Sequence, residues 1–245
     1  MIEFTYDRSF VALSIGVAIL GSFTGLVMTT GIRQASGTVA NIRIVLGALG
    51  IGGGIWSMHF IAMLAVVLPV ELSYDFTQTA ISALIAVAFT AIALAIVARN
   101  RLGQATLPVS ALFLGSGIGG MHYLGMSAIR GGCGIDYSWL GVFISIVIAI
   151  QASGVALWFA FRQRGVIDTL AGSVALGLAI ALMHYSGMEA TRFIATPAAA
   201  PFPELLISER YLALAIAVTI YTVCGMCLVV FSVLTYRGEQ RRPRH

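Results

Sequence analysis

The chain has 245 residues, of which 59% are hydrophobic and 10% are charged, and its mean hydropathy is +0.95. This composition excludes a water-soluble globular domain, because too few polar side chains remain to cover so large an apolar core. The formal net charge of +4 is carried by arginine without any lysine. In so apolar a chain it indicates membrane topology, and we expect no nucleic-acid partner.

Seven apolar stretches are each about as long as the 20 or so residues that a helix needs to cross a lipid bilayer. They lie at about residues 9–30, 44–68, 77–98, 107–129, 139–161, 170–193 and 211–236. The pattern predicts an all-α, polytopic membrane protein with seven transmembrane helices, forming a single membrane domain over residues 1–245. The first ten residues lack an apolar core, so we expect no cleaved signal peptide.

The connections between the predicted spans differ in charge. Ten of the fourteen arginines follow odd-numbered spans or lie in the first connection, whereas eight of the ten acids lie on the opposite side. Arginine-rich short loops face the cytoplasm. We therefore expect a multi-pass protein of the bacterial inner membrane, with its N-terminus outside and its C-terminus in the cytoplasm. The sixth connection, which contains Pro197, Pro201 and Pro203, is the longer one, and we expect irregular backbone there.

A six-residue pattern, which we call the His motif, recurs late in each even-numbered span. The copies are Met58-His59-Phe60-Ile61-Ala62-Met63, Met121-His122-Tyr123-Leu124-Gly125-Met126 and Met183-His184-Tyr185-Ser186-Gly187-Met188. The histidines are 63 and 62 positions apart, which indicates an internal repeat of one odd and one even span. Three such two-helix repeats and a seventh helix account for the chain. The histidines then share one layer in the outer half of the bilayer, with His122 about 10 Å of helix rise from Ile129.

The chemistry of the motif favours a soft metal ion. Residues four apart share a helix face, so each histidine projects with the second methionine of its copy. The first methionine sits about 100° away and would reach the same centre only where the helix unwinds. Imidazole with thioether suits copper best, whereas zinc gains little from methionine and calcium and magnesium prefer oxygen. The sequence predicts a copper site of three imidazoles with an open position, with zinc or haem as alternatives.

The motif also has a structural interpretation. A histidine in a span commonly packs helices through a hydrogen bond, and methionine is a common apolar filler. Three copies at one height favour a shared site, because ionisable groups inside a membrane are expensive. We interpret the aromatic residues Phe60, Tyr123 and Tyr185 as packing residues or as hydrogen-bond donors beside the site.

Cysteines and glycines outside the motif have two interpretations each. Cys133, just after the fourth span, is either a further soft ligand or an inert loop thiol. Cys224 and Cys227 in the seventh span lack the strand–helix context of a redox pair, so we assign them to helix packing. The glycines within residues 52–54 and 115–120 indicate close helix contacts or local flexibility beside the histidine layer.

The three Met-His-aromatic copies in alternate spans resemble the MHYT family of bacterial integral membrane sensor domains. The resemblance covers about Ser9 to Tyr236 and implies copper binding near the outer face, with sensing of oxygen, carbon monoxide or nitric oxide. The ligands it implies are His59, His122, His184, Met63, Met126 and Met188, with Met58, Met121 and Met183 as further candidates. It also implies a cytoplasmic cyclic-di-GMP or histidine kinase domain, or a partner protein, as the receiver. The chain departs from the pattern at Phe60 and in having no threonine after any motif ring.

Two functional hypotheses follow. In the first, copper binds a diatomic gas or changes redox state, helix packing shifts, and the shift reaches the cytoplasmic end of the seventh span. In the second, the chain is a stand-alone copper-dependent membrane oxidoreductase that uses dioxygen. A copper transporter is disfavoured, because conduction needs several sites in sequence and the cytoplasmic half has no second layer of histidine and methionine. We favour the sensor, in which this chain is not itself an enzyme.

Overall fold

The computed structural model describes residues 2–70, 72–99, 103–161, 165–195 and 206–240, and seven long helices lie in these ranges. The helices are α1 (Arg8–Met28), α2 (Gly37–Leu64), α3 (Phe76–Arg99), α4 (Thr106–Ser127), α5 (Trp139–Phe161), α6 (Val166–Glu189) and α7 (Glu209–Gln240). The irregular backbone predicted for the sixth connection falls largely on residues 196–205, outside the described residues.

Six of these helices form a closed ring. The hairpins α1–α2, α3–α4 and α5–α6 pack tightly, and α2 also packs on α3, α4 on α5 and α6 on α1. The even-numbered helices meet one another on the inside of the ring. Accordingly, 83% of the most apolar stretch of α2 is buried, against 33% for α3 and 28% for α5. Helix α7 packs against α2 and α1 and so lies outside the ring.

Several helices are long and apolar enough for a multi-pass membrane protein. Among the described residues these are α1, α2, α3, Trp139–Trp158 of α5 and Ile167–Glu189 of α6. Helix α4 is 22 residues long but is not among them, because its glycines and serines dilute its hydropathy. The apolar stretch described for α7 is Tyr211–Gly225. Large apolar side chains such as Leu84 and Leu140 are exposed on the outer helices, as expected where lipid is the solvent.

Glycine allows the helices to approach closely where their backbones meet. A Cβ added at Gly21 of α1 would lie 2.5 Å from the Cα of Gly54 in α2. Another close contact recurs seven residues before each motif histidine. There, Gly52 meets Val87 of α3, Gly115 meets Ile150 of α5 and Gly177 meets Ile19 of α1. These contacts join each even helix to its next neighbour in the ring, which confirms the expectation of close helix contacts at the glycine runs.

Short antiparallel strands close the end of the ring that carries the His motifs, which we call the histidine end. They are β1 (Thr5–Tyr6), β2 (Val66–Val67), β3 (Leu72–Asp75), β4 (Ile129–Gly131), β5 (Cys133–Tyr137), β6 (Thr191–Ala195) and β7 (Leu206–Ser208). Strand β1 pairs with β2, β3 with β4 and β5 with β6, while β7 pairs with the other edge of β3. The repeating unit is therefore strand, odd helix, even helix, strand, followed once by β7 and α7.

The strands correct the predicted ends of the even spans. Residues 66–67, 129 and 191–193 were predicted as the last turns of these spans and are β-strand instead. Val66 and Phe193 in these strands are as buried as core helix residues, so hydropathy does not distinguish them from helix. The second helix also begins at Gly37, earlier than the predicted residue 44, because its polar first turns still satisfy helical hydrogen bonding outside the most apolar stretch.

Candidate metal centre

The even helices bring the three motif histidines to one height. His59, His122 and His184 each lie five residues before the end of α2, α4 and α6, which corresponds to about 8 Å of helix rise. Because these helices meet on the inside of the ring, the three imidazoles converge there. The predicted histidine layer is confirmed, closer to the helix ends than expected because the strands take over the last residues.

The three imidazoles form a compact, buried cluster. Nδ1 of His59 lies 3.1 Å from Nδ1 of His184 and 3.2 Å from Nδ1 of His122. The ring centroids are 5.0, 5.2 and 5.1 Å apart. Each histidine is at most 2% exposed, and one nitrogen of each lies within 4.8 Å of the others. The near-equal ring spacing gives the cluster an approximate three-fold symmetry that follows the repeat.

Hydrogen bonding among the rings does not account for this arrangement. A neutral imidazole has one N–H and one lone pair, so Nδ1 of His59 can form a hydrogen bond with only one of its two close neighbours. The three Nε2 atoms have no hydrogen-bond partner within the described part of the chain. Two imidazole nitrogens bound to one tetrahedral ion at about 2.0–2.1 Å would be about 3.3 Å apart. The separations of 3.1 and 3.2 Å therefore suit lone pairs directed at one cation, and the cluster could bind a metal.

Glycines of the motif hold two of the three rings in this orientation. A Cβ added at Gly125 would lie 2.5 Å from Nε2 of His59, and one at Gly187 would lie 2.6 Å from Nε2 of His122. Gly125 of the second motif copy thus contacts the histidine of the first copy, and Gly187 of the third copy contacts the histidine of the second. Each glycine leaves space for the Nε2 edge of the ring it contacts, so that the Nδ1 edge faces the centre. The sequence alone assigned these glycines to helix approach and did not indicate this contact.

The motif methionines are all buried, and none is more than 1% exposed. The helices run unbroken through the three copies, so the first methionine of each copy stays about 100° from its histidine. Met183, a first methionine, has its methyl group near α4, where a Cβ at Gly119 would lie 3.8 Å from it. The second methionines Met63, Met126 and Met188 share a helix face with the histidines, and this makes them the better-placed sulfur donors.

The aromatic ring of each motif packs on the next unit of the ring. Tyr123 contacts Tyr137 of β5 with ring centroids 5.5 Å apart, and its hydroxyl oxygen lies 2.6 Å from that of Ser145 in α5. The third copy makes the same contacts, from Tyr185 to Tyr6 at 5.6 Å and to Ser14 at 3.1 Å. These rings therefore join the units beside the cluster, as expected for packing residues.

The first motif copy has the ring contact without the hydrogen bond. Phe60 lies 5.8 Å from Tyr74 of β3 between ring centroids. Ser82, the counterpart of Ser145, donates to the backbone oxygen of Thr79 at 2.7 Å. Phe60 therefore keeps the ring contact with Tyr74. It lacks the hydroxyl group that would reach Ser82, and Ser82 has a backbone hydrogen bond without it.

Sequence reasoning missed a second repeat that supports the motif. A tyrosine at the last or second-last position of a strand is followed eight residues later by a serine of the odd helix. The pairs are Tyr6 with Ser14, Tyr74 with Ser82, and Tyr137 with Ser145. The constant eight-residue spacing, recurring in step with the histidines, was the signal that could have found it.

The two cysteines whose side chains are described, Cys133 and Cys224, are not part of the cluster. Cys133 is buried in β5 at 8% exposure, and the ligand-capable group found within the described ranges contains the three histidines without it. Burial raises the pKa of the Cys133 thiol, which keeps it protonated at neutral pH and favours the inert-thiol interpretation. Cys224 lies 3.5 Å from the Thr24 hydroxyl and so links α7 to α1, while the side chain of Cys227 lies outside the described residues.

The strand layer beside the cluster contains buried tyrosines and four charged residues, Asp75, Arg130, Asp136 and Arg192. Burial raises the pKa of Tyr137 to about 12 and raises the pKa of Tyr6 and Tyr74 as well, so these phenols stay neutral. Asp75 and Arg130 form an ion pair at 3.8 Å, in which the arginine is partly exposed and the aspartate is nearly buried. The layer therefore separates the imidazoles from bulk water without placing an ionised group against them.

The repeat also identifies the chain. A family model described as MHYT, bacterial signalling protein N terminal repeat, matches residues 52–109, 115–173 and 177–240. The chain belongs to the MHYT family. The three matches begin at Gly52, Gly115 and Gly177, the glycines that join each even helix to its neighbour. Each match runs from an even helix into the following odd helix, so the third match joins α6 to α7. In the ring of this MHYT chain, however, the neighbour of α6 is α1.

Relatives of this MHYT chain are longer signalling proteins. The bifunctional diguanylate cyclase/cyclic di-GMP phosphodiesterase MucR of Pseudomonas aeruginosa is 40% identical, over 98% of this chain and 36% of its own length. The cyclic di-GMP phosphodiesterase NbdA of the same species is 37% identical, over 80% of this chain and 26% of its own length. The signalling protein YkoW of Bacillus subtilis is 34% identical, over 78% of this chain and 25% of its own length. The chain thus spans about a third of these relatives or less. No solved structure matches it.

Proposed function

We propose that this MHYT chain is a copper-binding sensor domain of the bacterial inner membrane. It detects a diatomic gas (oxygen, carbon monoxide or nitric oxide) or redox state, and signals to the cytoplasmic side. The observation that carries the proposal is the convergence of Nδ1 atoms from His59, His122 and His184, each contributed by a different repeat unit. Membership of a family of bacterial signalling proteins supports the signalling role.

Copper is proposed because of the donor types around the cluster. Three imidazoles with buried thioethers on the same helix faces form a mixed nitrogen and sulfur set, which copper prefers over the harder metals. Met63, Met126 and Met188 are the proposed sulfur ligands, with Met58, Met121 and Met183 as packing residues close by. Haem held by two histidines would have to separate rings that lie 5.0 to 5.2 Å apart and displace the third.

The chain's own residues provide the coupling. The three imidazoles join α2, α4 and α6, so a change in their preferred separation moves three repeat units against one another. A bound copper ion would supply an open position for the gas and a one-electron change. The tyrosines of the strand layer exclude water from the cluster, and α7 packs on α2, which offers a path from the histidine end to the C-terminal helix. Such coupling requires two helix arrangements that the ligand distinguishes.

We also propose that residues 1–245 form one membrane domain with seven spans, the N-terminus outside and the C-terminus in the cytoplasm. The arginine bias of the connections supports this orientation. A cytoplasmic reporter fused after Tyr236 is expected to be active in bacteria, and a periplasmic reporter at the same site inactive. The opposite pattern would reverse the orientation. Because two relatives are named as cyclic di-GMP enzymes, we propose a cytoplasmic enzyme of that class as the receiver of the signal.

Metal analysis of single histidine variants tests the centre. The detergent-purified chain is expected to hold about one or two copper atoms after loading under reducing conditions, with no Soret band. His59→Ala, His122→Ala or His184→Ala should each lower copper content strongly, because each removes a third of the imidazole set. His245→Ala is the matched control, since it is the remaining histidine of the sequence. Full loading of all three motif variants would refute a shared site, and a Soret band would assign haem.

A further inference from the structure

A cavity lies at the end of the bundle opposite the histidine end, which we call the arginine end because Arg33, Arg43 and Arg99 lie there. Its volume is about 390 Å³, and its mainly apolar lining also contains Arg33, Gln104 and Thr106. The described lining contains no carboxylate. Arg33 has no acidic partner within ion-pair distance in the described ranges. The cavity therefore presents a positive charge that the described protein does not neutralise.

The cavity offers further groups that favour an anion. Thr106 is 6% exposed, yet its Oγ1 has no hydrogen-bond partner within the described residues. Thr106 is also the first residue of α4, which continues directly from a 3₁₀ turn at Gly103–Ala105 and has no side-chain cap. The first-turn N–H groups and the helix dipole favour negative charge at such an end. A cationic side chain and a helix start without a side-chain cap thus lie at one cavity, and Thr106 forms part of its wall.

An apolar groove continues from this cavity. It has a volume of about 560 Å³ and shares Leu107 and Trp158 with the cavity. It runs between α4 and α5 from Trp158 to Ile150, which is about 12 Å of helix. Val155 in its wall is 55% exposed, so the groove opens on the lipid-facing side of the ring. Its walls are mainly apolar, with Gln151 as an exception.

We infer that the cavity and the groove together bind one anionic phospholipid. The phosphate lies against Arg33 at the start of α4, while an acyl chain lies along the groove. A free anion would leave the apolar groove unused. A zwitterionic lipid would bring an amine or choline group to a cavity whose described lining has no carboxylate to receive it. This site is separate from the histidine cluster and does not depend on a metal.

Lipid titration of the whole chain tests this inference. Delipidated protein in detergent is titrated with phosphatidylglycerol or phosphatidylcholine of the same acyl chains, and bound lipid is counted by native mass spectrometry. One phosphatidylglycerol is expected to bind at least about 10-fold more tightly than phosphatidylcholine. Arg33→Gln should weaken binding about 10-fold or more, as expected for a lost charged hydrogen bond.

Matched variants make the outcome decisive. Arg99→Gln removes an exposed arginine at the same end that does not line the cavity, and it should bind lipid like the wild type. Arg33→Lys should keep the preference for the anionic lipid, and His59→Ala should leave it unchanged. Equal binding of the two lipids, or wild-type binding by Arg33→Gln, would overturn the inference. Competition by millimolar inorganic phosphate as effective as the lipid would replace it with a free-anion site.

Discussion

Gly125→Ala is expected to disrupt the proposed copper site without removing any of its proposed ligands. The added Cβ would lie 2.5 Å from Nε2 and 2.8 Å from Cδ2 of His59, whereas ordinary contact begins at about 3.4 Å. The imidazole must therefore move by about 0.9 Å. On its other side, Nδ1 of the same ring lies 3.1 and 3.2 Å from its two neighbours. Metal–nitrogen distances tolerate only about 0.2 Å, so the ring cannot both relieve the contact and keep its place.

The expected magnitude follows from that displacement. Loss of correct support for a metal ligand typically lowers metal affinity about 10- to 100-fold, and we expect Gly125→Ala to fall in this range. Overpacking should also cost about 1–3 kcal/mol of stability, offset in part by the better helix propensity of alanine. Copper affinity is measured in detergent by competition with a Cu(I) chelator, and unfolding is followed on the same samples.

A neighbouring glycine provides the control. Gly120→Ala makes the same exchange in the same helix, but its Cβ would meet nothing closer than Cγ2 of Ile85 at 3.6 Å. It should bind copper like the wild type. Gly187→Ala, whose Cβ would meet Nε2 of His122 at 2.6 Å, should repeat the effect at a second ring. A folded Gly125→Ala protein with wild-type copper affinity would refute the view that the glycine positions the imidazole.

Two further predictions concern the strand layer and its contacts. Tyr123→Phe should lower stability by about 1 kcal/mol through loss of the hydrogen bond to Ser145, while copper loading stays unchanged because Phe60 fills the same position in the first copy. A double-mutant cycle with Ser145→Ala checks it, and additive effects would contradict the hydrogen bond. Cys133 should be alkylated more slowly at pH 8 than an unperturbed thiol, and faster as the pH rises, because burial raises its pKa and the thiolate is the reacting form. Peptide mapping by mass spectrometry follows the rate, and pH-independent modification would contradict the raised pKa.

The histidine layer was accessible to sequence reasoning because it depends on local periodicity. Helices of similar length that carry the same motif at the same distance from their ends must place it at one height. The four-residue offset between His122 and Met126 likewise follows from helix geometry. The strands could not be predicted as easily from the sequence. Two to five apolar residues that follow an apolar helix have the same hydropathy in a strand as in a further helical turn. Val66 and Ile129 are buried in either case.

The pattern of this sequence establishes the helices, the three copies of the His motif and the donor types of the candidate metal centre, because each copy is defined by residues within one or two helix turns of one another. Contacts between distant parts of the chain settle the rest. Helix α6 closes the ring on α1 because Gly177 admits Ile19, although α7 is its neighbour in sequence. Gly125, which belongs to a different repeat unit from His59, keeps the ring of His59 turned inward. Such contacts join residues far apart in the sequence, and their geometry exists only once the helices have packed.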